Sequence, residues 1–146
     1  VRRELFHAVL REGAFLNGNP INVSSVTDLE MGVMGFDMGY ADEKASRLLE
    51  MLCDLWPGMQ ALRIMGSAAL GLAYVASGRI EVYSNHNIET WDIAPGLLLV
   101  REAGGIVTDM RDAPAKLTSG NIIAANAKFH QRFMATTASS EWRKNA

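Results

Sequence analysis

From residue 61 onward the chain keeps switching its hydrophobic period, and that alternation restricts the available folds more than any other feature. "ALRIM" at 61–65 has the length of a buried strand. "GSAALGLAYVASG" at 66–78 follows as a helix, with Ser67 placed to start it and Gly78 placed to end it. "RIEVYSN" at 79–85 alternates as a strand, with Ile80 and Val82 on one face. A helix predicted over 92–103 tolerates Pro95 in its first turn and stops at Gly104-Gly105. "GIVTDM" at 105–110 and "NIIAAN" at 121–126 read as strands. "AKFHQRFMATTA" at 127–138 reads as a closing helix, after which the last residues are expected to fray. Strand–helix–strand–helix–strand–strand–helix is an α/β order, a sheet flanked by helices.

The residues before this pattern are compatible with it. "ELFHAVL" at 4–10 and "AFL" at 14–16 flank "REG" as a β-hairpin, and "NGNPI" at 17–21 reads as a second turn. "MGVMGFDMG" at 31–39 predicts a strand weakened by glycines, its methionines serving as core filler. "ADEKASRLLEMLCDLW" at 41–56 is the clearest amphipathic helix. Ala45, Leu48, Leu49, Leu52 and Leu55 follow helical spacing, acids crowd its first turn, and Pro57-Gly58 ends it. With 146 residues the chain is the size of one domain, and a domain of that size hides roughly 68–70% of its unfolded surface.

Several function classes find no support. The net charge is −2 and no basic stripe with interleaved aromatics occurs, so nucleic acid is not an expected partner. Cys53 is the single cysteine, which excludes an internal disulfide and a CxxC metal site and fits a cytoplasmic location. The best membrane candidate, "AALGLAYVA" at 68–76, is far below the roughly 20 apolar residues a spanning helix needs. The first residues lack a signal-peptide core and an initiator Met, and "ELFHAVL" already reads as a strand. The chain is therefore expected to be part of something longer.

Three stretches could carry chemistry. Trp91-Asp92 opens the apolar helix predicted from 92. A carboxylate there can be a helix cap, because helix starts favour negative charge. On position alone the cap is the better reading; the alternative is a metal ligand, with the preceding Trp packed beside it to thin the surrounding water. Gly66, Ser67 and Ala68 are small residues at a helix start, where a ligand can approach the backbone and free N–H groups bind anions. The plain alternative is an ordinary capped helix start. "SNHNIE" at 84–89 is a polar loop in which His86 and Glu89 are expected to face water, and these two do not form an HExxH pattern. His7 and His130 read as satisfied surface or core histidines, and Glu102 as solvent-facing.

Taken together, "GSAALGLAYVASGRIEVY", "WDIAPGLLLVREAGG" and "NIIAAN", preceded by "ELFHAVLREGAFLNGNPINVS", resemble the C-terminal half of the inositol monophosphatase family. The resemblance implies the C-terminal portion of a layered α/β/α/β/α sugar-phosphatase fold, with a mixed sheet flanked by helices. Residues 1–146 would form one partial domain: 1–57 the remainder of an N-terminal sheet and a helix, 58–146 a C-terminal α/β subdomain. It also implies Mg²⁺-assisted hydrolysis of a small phosphate monoester, with homodimerisation of the full-length form. Asp92 would be the metal ligand and would also touch substrate. Gly66, Ser67 and Ala68 would contact the sugar or inositol ring. Asn85 falls where the family often carries a substrate-touching Glu, so that contact would be neutral. The family's Glu-Glu and DPxDGT motifs are absent from this sequence. No further catalytic residue is therefore expected here, and the isolated chain is expected to be inactive and prone to associate through exposed edges. A non-catalytic α/β binding or assembly module is the alternative.

Overall fold

The structure, a computed structural model, describes residues 3–39 and 42–144. Two sheets organise it. The smaller is an antiparallel meander of β1 (Phe6–Val9), β2 (Gly13–Leu16) and β3 (Asn19–Ile21). The expected hairpin is present, but the segment read as a second turn holds a strand as well. Asn17 and Gly18 alone make the turn, both at positive φ (51° and 81°), the geometry a two-residue hairpin loop requires. Pro20 is tolerated because β3 borders the meander and its missing N–H costs no ladder bond there.

The larger sheet contains β4 (Val33–Phe36), β5 (Ala61–Ile64), β6 (Val82–Asn85), β7 (Ile106–Thr108) and β8 (Ile122–Ala125), in the order β5-β4-β6-β8-β7. β4 runs parallel to both β5 and β6, whereas β8 is antiparallel to β6 and β7. This is the mixed sheet expected. Its helices are α1 (Asp42–Leu55), α2 (Ala68–Ala76), α3 (Thr90–Glu102), α4 (Ala127–Thr136) and α5 (Glu141–Lys144). The expected first residue of α1, residue 41, lies outside the described residues.

The pleat sorts side chains into two cores. Tyr83, Ile122 and Ala124 point toward α2 and α3; Val82, Ile123 and Ala125 point toward α1 and α4. Because both faces are covered, β6 and β8 are buried along their whole length; β8 reads as a continuous apolar run, whereas β6 ends in the buried polar pair Ser84 and Asn85. The α2–α3 layer also packs against the meander. The result is four layers: α1 with α4 and α5, the five-stranded sheet, α2 with α3, and the meander.

Several local expectations change. Ile80 and Val82 do not share a face, since Ile80 lies in the turn before β6 and enters the opposite core from Val82. Leu49 of α1 is exposed, and the buried stripe runs through Leu48, Met51, Leu52 and Leu55 instead. Met34 is a core residue, but Met31 is 60% exposed and fills nothing. The C-terminal residues form α5 rather than fraying, because Trp142 is buried and its indole N–H donates to His86 Nδ1 at 3.2 Å. Glu102 does not simply face solvent. Its carboxylate accepts from the backbone N–H groups of Arg11 (3.0 Å) and Gly13 (3.1 Å), tying the end of α3 to the β1–β2 turn.

Candidate active site

Three parallel neighbours end at one edge of the larger sheet. β4 leads into Asp37, β5 into Gly66 and Ser67, and β6 finishes at Asn85. Ligands of α/β sheets bind outside such carboxyl ends. A cleft of about 300 Å³ opens there, lined by Asp37, Gly66, Ser67, Ala68, Asn85 and Asp92 among others. The five residues singled out from sequence are thus brought together; Asp37 was not among them. A roomier hollow of about 540 Å³ between β1, α2 and α3 is walled by apolar side chains. Its one titratable lining group, His7, stacks on Phe15 with centroids 5.0 Å apart.

Each group is held for a local reason. Gly66 sits at φ +68°, where a Cβ would be strained. That turn lets the chain leave β5 and enter α2 at once. Ser67 caps α2, its Oγ accepting from Leu70 N at 3.3 Å, which leaves the hydroxyl hydrogen available. The amides of Ala68 and Ala69 stand in the first turn, where a helix has no acceptors of its own to offer. Gly71 brings α2 against the ring of Tyr83, whose atoms lie 2.4 Å from where a Cβ would stand. Gly96 does the same between α3 and Leu72, at 2.3 Å.

Asp92 is not a cap. α3 begins at Thr90 with Glu89 at the capping position, and no side chain caps it. Asp92 is instead the third helical residue, where the dipole still favours its charge. Trp91 does not shield it, because that indole is 73% exposed. What sets Asp92 apart is its place in the cleft.

A hydrogen-bonded chain runs along the cleft wall. Asp37 Oδ1 accepts from Gly66 N at 2.6 Å, and Asp37 Oδ2 accepts from the Tyr83 hydroxyl at 2.6 Å. Asn85 Nδ2 donates to Tyr83 Oη at 3.4 Å, and Asn85 Oδ1 accepts from Asn87 N at 3.0 Å. Burial first, and then the bond to Asp37, push the Tyr83 phenol far above its ordinary range. It therefore keeps its proton at any working pH. His86, expected in water, is 2% exposed and held under Trp142. Burial and then the charge of Lys44 lower its pKa below the ordinary histidine value. Glu89 is exposed, as expected. His130 is a core histidine, bonded through Nε2 to Thr108 Oγ1 at 2.7 Å.

The donor chemistry suits a hard divalent cation as far as it goes, since Asp92 and Asp37 bring carboxylate oxygens to one open cleft. Among the described residues no three acidic, histidine or cysteine side chains gather into a ligand cluster. Among the described residues that line it, none is a lysine or arginine.

Comparison with known proteins adds to this geometry. The model of the inositol monophosphatase family matches residues 1–143. An inositol-1-monophosphatase of Synechocystis sp. is 39% identical over 145 residues, which cover 97% of this chain and 50% of that protein. Nus factor SuhB of Pseudomonas aeruginosa is 37% identical over 93% of this chain and 51% of its own length. The structure of inositol monophosphatase from Anabaena (Nostoc) sp. superposes with a TM-score of 0.83 at 32% identity, covering 98% of this chain and 57% of that one. The chain spans about half the length of the curated relatives it matches.

Proposed function

The chain belongs to the inositol monophosphatase family, and we propose from that premise that its protein hydrolyses a small phosphate monoester, an inositol monophosphate or related sugar phosphate, with Mg²⁺. One observation carries the reading: a carboxylate, a capped helix start and a polar strand end meet in a cleft that has no basic lining residue. A phosphate dianion entering between Asp37 and Asp92 meets two negative charges and no positive side chain. A cation is what makes such a cleft hospitable to it.

Asp92 would hold the ion, with the rest of the shell supplied by groups beyond this cleft wall. When bound, Mg²⁺ lowers the pKa of water and neutralises the ester oxygens. The chain's own residues orient the substrate. The first-turn amides of α2 face the anion, the Ser67 hydroxyl donates to it or to a ring oxygen, and Asn85 contacts the polyol. The test is phosphate release from inositol monophosphate by the intact protein, with and without Mg²⁺. Asp92→Asn is expected to lower activity by about 100-fold or more, given that even outer-shell changes at metal sites cost 10–100-fold. Near-normal turnover in a folded Asp92→Asn protein removes the metal role. Residues 1–146 alone are expected to release no phosphate, because a single metal-holding carboxylate, Asp92, binds a reluctantly dehydrating Mg²⁺ only weakly.

The second reading is a non-catalytic binding module. The partial ligand set favours it, as does the fact that several relatives are named a Nus factor rather than an enzyme. An intact protein that never turns over any ester while folding normally would support it.

A further inference from the structure

Asp37 follows the end of β4 and sits among neighbours whose hydrogen-bond directions it dictates. A carboxylate without a proton can only accept. The Tyr83 hydroxyl, 2.6 Å from Oδ2, must therefore spend its one hydrogen on Asp37. With that hydrogen committed, Tyr83 Oη can only accept from its other neighbour, Asn85. Asn85 must then turn its NH₂ toward Tyr83 and its carbonyl toward Asn87 N, as the structure has it. Its second N–H is left for the cleft. On the other side, Oδ1 of Asp37 fixes the Gly66 amide and with it the left-handed turn from which α2 starts.

We propose that Asp37 is a positioning residue that sets the polarity of the substrate wall. Through Tyr83 it reinforces the orientation in which Asn85, its carbonyl held by Asn87 N, donates to the cleft, and through Gly66 it aims the first turn of α2. The substrate atom that meets Asn85 is then an acceptor, an oxygen of a hydroxyl, rather than a group that needs a base. Among the described residues the same carboxylate accepts two hydrogen bonds, one on each oxygen, and it stands at most about 6 Å from the Asn85 amide, counted through the shared Tyr83 oxygen. A hydroxyl between them can donate to Asp37 and accept from Asn85. An amino group or a second phosphate satisfies only one of the two. The new element is the positioning role of Asp37 on this wall, a role that rests on the phosphatase reading above.

The experiment compares two esters in the intact protein with Mg²⁺: inositol monophosphate, and phenyl phosphate, which has no ring hydroxyl. Asp37→Asn can present an NH₂ to Tyr83, which turns the Tyr83 hydroxyl hydrogen toward Asn85 Nδ2 and removes the bond that steadies that amide, although its carbonyl still accepts from Asn87 N. Its KM for inositol monophosphate is expected to rise about tenfold, the loss of one hydrogen bond. The rise for phenyl phosphate is expected to be at least about fivefold smaller. Tyr83→Phe breaks the same chain at its middle and is expected to reproduce that split if Asp37→Asn folds poorly. An equal effect on both esters, or none on either, overturns the proposal. Should the unaltered protein hydrolyse neither ester, the phosphatase reading fails, and NMR still decides on Asp37. The Asn85 side-chain N–H resonances are expected to move in both variants, and unchanged resonances overturn its role.

Discussion

Gly71→Ala tests whether Tyr83 is as tightly confined as the geometry implies. A Cβ at residue 71 would stand 2.4 Å from Tyr83 Cδ2 and Cε2 and 2.9 Å from Cγ. Ordinary carbon contacts are about 3.5–4.0 Å, so the ring must retreat by about 1 Å. Tyr83 is fully buried, and its hydroxyl is held by Asp37 at 2.6 Å, so retreat strains that bond. Overpacking of this kind costs about 1–3 kcal/mol. Alanine returns up to about 1 kcal/mol of helix propensity at a mid-helix position. A weakened bond to a charged acceptor takes away about 1 kcal/mol more. The net expectation is a loss of about 2 kcal/mol, or a fall in Tm of about 4–8 °C in the intact protein. Urea and thermal unfolding measure it. In a Tyr83→Phe background the ring can slide without losing a bond, so the penalty is expected to shrink by about 1 kcal/mol, a coupling within the usual range for contacting residues. A Gly71→Ala protein as stable as the parent refutes the confinement, and equal penalties in both backgrounds refute its link to Asp37.

Other outcomes follow from the same contacts. Glu102→Ala removes the acceptor for two turn amides, so it is expected to cost about 1 kcal/mol and to speed hydrogen exchange at Arg11 and Gly13; unchanged exchange counts against the tie. His86 and His130 both have folded pKa values lowered chiefly by burial. The unfolded chain therefore binds protons first as pH falls. Stability is expected to be flat above the ordinary histidine value of about 6.5 and to decline as pH drops from there toward the folded values. Unfolding midpoints at pH 7.5 and 5.5 check this, and a double variant lacking His86 and His130 is expected to lose most of the slope.

Much of the architecture was readable in the sequence because its signals are local. Ser67 is a polar residue before an apolar helical run, and Gly104 stands where α3 must stop. Asp92 was legible as an acid near a helix start, although its capping role was not real; the helix begins two residues earlier, and nothing in "NIETWD" marks Thr90 over Asp92. β3 was hidden because Pro20 usually argues against a strand, and only its border position excuses it. Asp37 was invisible for a different reason. Its partners are 29 and 46 residues away, and they meet only because β4, β5 and β6 lie side by side in parallel. His86 and Trp142 conceal each other likewise: each looks solvent-exposed until the other is placed, 56 residues distant in the chain. An acid after "GF" could have been flagged as a residue at a strand's carboxyl end, but that needs the strand order first.

The tie between Glu102 and the β1–β2 turn bears on the cleft more than its location suggests. α3 carries Asp92 at one end and Glu102 at the other, roughly 15 Å apart at 1.5 Å per residue. A rod anchored at its far tip cannot swivel or slip lengthwise without breaking the two hydrogen bonds that its Glu102 carboxylate accepts there. Changes in the distant hairpin should therefore be felt as misalignment where the acid meets its ligand, so that a remote loop governs aim without ever touching what is bound.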